Sequence, residues 1–274
     1  MAVTQDMKRL ADLCVAAGEV ILPLFRNGVE VERKADESPV TEADRRAEAV
    51  ILDGLSRDFP DICVVAEEAM AAGDDPVVAR RFFLVDPLDG TREFVSGRGE
   101  FTVNIALIED GVPVLGAVFA PVTGALFVGA RGEGSFEVVA GDWRAIHARI
   151  AAPQAPVALA SRSHSDPETD SLLEALPIGG CISIGSSLKF CLVARGEADF
   201  YPRFGRTMEW DTAAGHAVLA AAGGQVVGLD GGAFLYGKRG REGLADFANP
   251  GFLAGGDPAL LARAADLCRS STPS

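Results

Sequence analysis

Leu10, Leu13, Cys14, Ala17, Ile21, Leu24 and Phe25 recur at intervals of three and four, which predicts an amphipathic helix that stops at Asn27-Gly28. A short alternating piece follows around Val29 and Val31, then a loop over Glu37-Ser38-Pro39-Val40. Thr41 opens a second helix with Ala43, Ala47, Val50, Ile51 and Leu55 on one face, ending before Pro60. Ile62-Cys63-Val64-Val65 reads as a short buried strand that delivers Glu67 and Glu68 at its end, and residues 69–79 read as an acidic loop. Phe82-Phe83-Leu84-Val85 is a second buried strand, with Asp86 expected where it stops.

The pattern then changes period. Phe101 to Leu107 alternates as a strand, Asp110-Gly111 makes a hairpin turn into Val112 to Ala120, and Ala125 to Val128 follows a turn over residues 121–124. Beyond the alanine- and proline-rich stretch from Ala151 to Pro156, strands at 157–160, 181–184, 198–201 and 225–227 alternate with helices at 166–176, 187–194 and 212–222. A last helix runs from about Pro258 to Cys268. The chain therefore divides into an α+β half, residues 1–150, and an α/β half, residues 151–274.

Composition sharpens this picture in three ways. At 274 residues and 48% hydrophobic content the chain can bury a large core. Its 25 basic and 39 acidic residues give a net charge of −14, and no basic stripe exists, so a nucleic-acid duplex is excluded as a partner. The five cysteines, Cys14, Cys63, Cys181, Cys191 and Cys268, are dispersed without a CxxC pair and read as reduced core residues. No basic-then-apolar leader opens the sequence and no apolar run could span a bilayer. The expectation is a cytoplasmic protein with at most peripheral association with the inner membrane.

The candidate chemistry lies in Val85-Asp86-Pro87-Leu88-Asp89-Gly90-Thr91. Two carboxylates three residues apart at a strand end face one small volume, and they repel unless cations sit between them. Gly90 and Thr91 then offer backbone N–H groups to an anion. Glu67 and Asp211, the latter just ahead of a strong helix, supply further acids for divalent cations. Each acid also has a plain structural role open to it. Asp211 suits a helix N-cap, Asp44 stands three residues after Thr41 as in a capping box, Glu67-Glu68 suits a solvated loop, and Asp86 and Asp89 suit Asx turns.

Asp86-Pro87-Leu88-Asp89-Gly90-Thr91, the Glu67-Glu68 pair and Trp210-Asp211-Thr212-Ala213-Ala214-Gly215 together resemble the inositol monophosphatase superfamily of Mg²⁺-dependent, lithium-sensitive phosphatases. The likeness is greatest to its bacterial 3'(2'),5'-bisphosphate nucleotidases of the CysQ type. It is carried by Ser38-Pro39-Val40-Thr41 with Asp44, Thr91-Arg92-Glu93-Phe94, Gly99 to Ile108, Gly185 to Ala194 and Tyr201 to Gly205. The resemblance implies an α+β fold, the layered αβαβα sandwich of the inositol monophosphatase and fructose-1,6-bisphosphatase type. It implies hydrolysis of adenosine 3',5'-bisphosphate to AMP and phosphate, with an inositol or sugar phosphatase on the same scaffold as the alternative.

The same resemblance implies the residue roles. Glu67, Asp86 and the Leu88 carbonyl would hold one Mg²⁺; Asp86, Asp89 and Asp211 a second; Glu67, through water, a third. Thr91, hydrogen-bonded to Asp44, would activate the attacking water, with Glu67 counted among the catalytic acids. Gly90 and Thr91 would receive the phosphate, with Asp211 at the substrate's edge. His164, Ser186, Lys189 and Arg203 would surround the nucleotide. Two or three Mg²⁺ ions, a small nucleotide bisphosphate as substrate, and a monomer or homodimer complete the expectation.

Overall fold

The computed structural model describes residues 2–28, 31–33, 39–150, 155–161 and 166–271. In chain order its helices are α1 (Gln5–Asn27), α2 (Glu42–Asp58), α3 (Glu67–Ala71), α4 (Thr91–Val95), α5 (Pro167–Ala175), α6 (Leu188–Ala194), α7 (Glu209–Ala221) and α8 (Pro258–Ser271). The first strands are β1 (Val31–Arg33), β2 (Pro39–Thr41), β3 (Cys63–Ala66), β4 (Arg81–Asp89), β5 (Thr102–Glu109), β6 (Val112–Ala120), β7 (Ala125–Ala130), β8 (Gly134–Val139) and β9 (Asp142–Ile146). The remainder are β10 (Val157–Ser161), β11 (Gly180–Ile184), β12 (Phe200–Arg203), β13 (Gln225–Gly228) and β14 (Phe252–Gly255).

Strands β3 to β9 lie side by side in chain order as one sheet, antiparallel except for the β3–β4 pair. Strands β11-β10-β12-β14-β13 make a second, mixed sheet, and β1 pairs with β2 alone. Alternation along the first sheet explains how the layers stack. Phe83, Val85, Ile105, Leu107 and Ala117 face α1 and α2, burying Met7, Leu10, Cys14, Ala47 and Ile51. Their neighbours Phe82, Leu84, Ala106, Ile108 and Val118 face the other way, onto Phe190 and Val193 of α6 and Ala213, Ala214 and Val218 of α7. Leu159, Tyr201, Phe252 and Ala254 of the second sheet close the same core. The outer face of that sheet, with Ala158, Phe200 and Leu253, packs on α5 and α8 through Leu172 and Leu261. The order is helices, sheet, helices, sheet, helices.

Helix α7 is apolar on nearly every side, as befits a helix between two sheets. It approaches β6 and β7 over Gly116 and Gly129. A Cβ on Gly116 would lie 2.6 Å from the Ala214 carbonyl oxygen, and one on Gly129 would lie 2.6 Å from Val218 Cα.

Several elements differ from the sequence expectations. Pro39-Val40 is not loop but strand β2, where Pro39 stands opposite Arg33. The supposed loop after Glu68 begins as the short helix α3. β4 does not stop at Asp86 but runs on to Asp89, and α7 starts at Glu209, so Asp211 lies inside its first turn rather than ahead of it. Strands β8, β9 and β14 carry too weak an alternation to stand out in the sequence. Of the cysteines only Cys14 and Cys191 are buried, and Cys181, on the outermost strand β11, is exposed. Asp110 and Gly111 both have positive φ, 52° and 77°, as the tight β5–β6 hairpin requires. Among the described residues no helix is long and apolar enough to cross a membrane.

Candidate active site

Asp86 and Asp89 reach the same cavity because of an irregularity in β4. Residues three apart on a regular strand point to opposite faces. Here Asp86 stands opposite Asn104 and Asp89 opposite Thr102, so three steps on β4 match two on β5. The extra residue is a bulge, and it brings both carboxylates to one side. The Leu88 N–H donates to Asp86 Oδ1 at 2.9 Å, which makes the Asx turn that holds the bulge.

The cavity, about 240 Å³, is lined by Glu67, Asp86, Leu88, Asp89, Gly90, Thr91 and Asp211 on one side and by Ser186, Ser187, Lys189 and Arg203 on the other. Three elements deliver the acids: the β3-to-α3 junction for Glu67, the bulge for Asp86 and Asp89, and the first turn of α7 for Asp211. Asp211 Oδ2 also accepts from the Met208 N–H at 2.8 Å, so capping and a place in the cavity coexist in one carboxylate. Burial, then the charges of Glu67, Asp89 and Asp211, push the Asp86 carboxyl well above the usual range. Burial, then Asp89 and Glu67, do the same to Asp211. Asp89 rises to about 6, through burial opposed by the nearby Lys189 and the Ser187 N–H.

Such mutual repulsion is what a bound cation relieves. The donor chemistry, carboxylates plus the Leu88 carbonyl, is all oxygen and suits a hard divalent ion such as Mg²⁺. Among the described residues no group of three or more acidic, histidine or cysteine side chains stands ready to hold a metal ion, so waters and the Leu88 carbonyl would supply part of the ligand set.

Thr91 opens α4 behind Gly90, whose φ of 98° a side chain would strain. Thr91 Oγ1 lies 3.3 Å from Asp44 Oδ1 and 3.3 Å from the Leu88 carbonyl oxygen, and its single proton can serve either. Asp44 is buried and held by its own capping box, its Oδ2 accepting from the Thr41 N–H at 2.8 Å and Thr41 Oγ1 at 2.7 Å.

The opposite wall is built around Ser186, which adopts a positive φ of 52°. That turn aims the Ser187 N–H at Asp89 Oδ2, 2.5 Å away, while Ser187 Oγ donates to Asn104 Oδ1 at 2.6 Å. Lys189 is buried rather than reaching for the surface. Its Nζ donates to the carbonyls of Ile184 at 3.1 Å and Ser186 at 2.6 Å and lies 5.3 Å from the centre of the Tyr201 ring. Burial draws its pKa down to about 8, with Asp89 resisting. Arg203 is buried, its Nε donating to the Gly205 carbonyl at 3.2 Å. His164 lies outside the described residues.

Sequence reasoning gave no individual site role to Glu48, Ser187, Asn104, Glu93 and Glu100. Glu48 is buried and accepts from the N–H groups of Glu68 at 2.8 Å and Ala69 at 2.9 Å. Its signal was present: a glutamate within the apolar stripe of α2. Asn104 and Thr102 are polar residues in a buried strand. Glu93 is buried beside Gly185, and Glu100 Oε2 accepts from the Gly185 N–H at 2.9 Å.

Fold and site together define the class. The chain matches the inositol monophosphatase family over residues 4–262 and belongs to that family. It is 46% identical over 248 residues to the 3'(2'),5'-bisphosphate nucleotidase CysQ of Salmonella typhimurium LT2, covering 90% of this chain and 98% of that protein. It is 45% identical to the protein of the same name from Escherichia coli K12, with the same coverage. Among solved structures, CysQ from Bacteroides thetaiotaomicron aligns with a TM-score of 0.73 and 34% identity, over 91% of this chain and 96% of that one. The Thermotoga maritima IMPase aligns with a TM-score of 0.78 over 97% and 99% of the two chains, and at 24% identity that likeness speaks for the fold alone.

Proposed function

We propose that this protein is a 3'(2'),5'-bisphosphate nucleotidase that removes the 3'-phosphate of adenosine 3',5'-bisphosphate, giving AMP and phosphate. The reaction type is carried by one observation: a threonine hydroxyl paired with a buried aspartate, opening into a cavity whose wall includes the acids Glu67, Asp86, Asp89, Glu93 and Asp211. The substrate class is supported by the relatives that bear this name at 46% and 45% identity over nearly their whole length.

Glu67, Asp86 and the Leu88 carbonyl would hold one Mg²⁺, and Asp86, Asp89 and Asp211 another, with Glu67 serving a third through water. When bound, Mg²⁺ supplies positive charge that neutralises phosphoryl oxygens and lowers the pKa of water at the site. Thr91 Oγ1 orients the attacking water and takes its proton as it hands its own to Asp44 Oδ1. Asp44 suits this task because its other oxygen is already committed to Thr41. The N–H groups of Gly90 and Thr91 face the phosphate oxygens, and Asp211 borders the substrate. Lys189 acts chiefly by holding the Ile184 and Ser186 carbonyls and lending positive charge beside Asp89. Ser186, Arg203 and His164 are assigned to the nucleotide. The ribose and base occupy the Lys189–Arg203 wall, and their burial there excludes bulk water from the reacting phosphorus.

The test is phosphate release from adenosine 3',5'-bisphosphate, inositol 1-phosphate and fructose 1,6-bisphosphate, with Mg²⁺ and with added Li⁺. The nucleotide is expected to give the highest kcat/KM, and Li⁺ is expected to inhibit. A nucleotide that ranks last among the three overturns the substrate assignment.

A further inference from the structure

Helix α3 begins without a cap of its own. Its N-cap position is Ala66, which has no side-chain acceptor for the N–H groups of the first turn. Those groups are served from elsewhere in the chain. Glu48, on α2, accepts the Glu68 N–H with Oε2 and the Ala69 N–H with Oε1, at 2.8 and 2.9 Å. The carboxylate is 6% exposed and stands on the apolar face of its helix, where an ion is costly unless it is well bonded. Leucine or methionine at this position would fill the same space more cheaply if packing were the only need.

Glu67 is the first residue of that same turn. Its backbone direction, and so the aim of its carboxylate into the cavity, is set by whether the turn is held. Glu48 also lies one helical turn beyond Asp44, on the same buried face of α2. One rigid helix thus sets two distant parts of the site: Asp44 meets Thr91, and Glu48 meets the Glu67-bearing turn.

We infer that Glu48 is a positioning residue that fixes Glu67 for cation binding, by capping α3 from α2. The inference rests on the proposed role of Glu67 as a metal ligand. Glu48 acts on the site through the α3 turn that its carboxylate holds.

The test uses metal-free protein and three readouts: Mg²⁺ binding by calorimetry, amide hydrogen exchange at Glu68 and Ala69, and turnover across a Mg²⁺ titration. In Glu48→Gln one oxygen is replaced by an NH₂ that opposes an N–H donor. Exchange at the two amides is expected to speed up, and Mg²⁺ affinity to fall by about 10- to 100-fold, the range seen when outer partners of metal ligands are removed. Turnover at saturating Mg²⁺ is expected to recover most of the wild-type value. Faster exchange with unchanged Mg²⁺ affinity would reduce Glu48 to a structural cap and overturn the inference.

Glu67→Gln, measured in parallel, separates the two levels. If it weakens Mg²⁺ binding while Glu48→Gln does not, the ligand role stands and the positioning role falls. If Glu67→Gln itself binds Mg²⁺ normally, both fall. Should Glu48→Gln fail to fold, Glu48→Asp, with both oxygens on a side chain one methylene shorter, is judged by the same readouts.

Discussion

Acidification should weaken this fold through His216, and the size of the effect follows from where that side chain sits. His216 lies in α7 between the sheets, with its Nδ1 3.1 Å from the Tyr236 hydroxyl and the Phe234 and Tyr236 rings around it. Burial, with a smaller contribution from the charge of Lys238, lowers its pKa from 6.5 to about 3. The folded protein therefore refuses a proton that the unfolded chain accepts. Stability that is fully present above about pH 6.5 is lost as the pH falls, down to the folded pKa near 3. At about pH 5 the unfolded chain is roughly one and a half pH units below the histidine's ordinary pKa, which amounts to about 2 kcal/mol at 1.36 kcal/mol per unit. That is a large share of a typical folding free energy of about 5–15 kcal/mol.

The assay is urea unfolding of the metal-free protein at about pH 7.5 and about pH 5, for wild type and for His216→Gln, which keeps a partner for Tyr236. The raised carboxyls of Asp86 and Asp211 act in the opposite sense, strengthening the fold as they take up protons, but they do so alike in both proteins. The quantity to read is the difference: wild type should lose about 2 kcal/mol more than the variant between the two pH values. Equal losses would refute the argument and mean that the folded protein lets His216 charge.

Three further outcomes are expected. Asp89→Asn removes a charge from the proposed second cation site and should cut kcat by about 10² or more in a phosphate-release assay, with near-wild-type turnover refuting the ligand role. Gly116→Ala places a methyl 2.6 Å from the Ala214 carbonyl oxygen. It should lower stability by about 1–3 kcal/mol in urea and weaken Mg²⁺ binding by shifting α7 and Asp211; an unchanged unfolding midpoint would contradict the close approach. Glu209 is fully buried, accepts from the N–H groups of Gly237 at 2.7 Å and Lys238 at 2.9 Å, and pairs with Lys238 Nζ at 2.7 Å. Glu209→Ala takes the acceptor from two N–H groups and the carboxylate from Lys238, which keeps the Leu235 carbonyl and the Phe234 and Tyr236 rings, and should cost about 3 kcal/mol by the same denaturation, a loss under about 1 kcal/mol counting against it.

What was legible in the sequence followed the strength of its periodicity. The stripe from Leu10 to Phe25, the Asp110-Gly111 turn and the apolar run of α7 each state one structure plainly. β9 forms the edge of its sheet with Asp142, Arg144 and Ala145 exposed, and β8 beside it is mostly half-buried, so neither alternates cleanly. The acids of the cavity were legible as residue types with telling spacing. That Asp86 and Asp89 face one volume was read from their spacing at a strand end, but the means was not: β4 runs on to Asp89, and a bulge turns that side chain to the side of Asp86. Glu48 was passed over because a glutamate on a helix is ordinarily solvated. Its place in the apolar stripe was readable; that it holds the α3 turn was not.

The seating of α7 on Gly116 and Gly129 also has a consequence for synthesis. The strands it covers are complete once Ala130 has been made, yet the covering helix ends only at Ala221. At about 5–20 residues per second that interval is on the order of ten seconds. During it Phe82, Leu84, Ala106, Ile108 and Val118 present an oily surface to solvent, before α6 and α7 have been made to cover it. The nascent protein is then a natural client for chaperones. Substitutions that delay the arrival of α7 should show first as poor yield of soluble protein, before any loss is measurable in the molecules that finish.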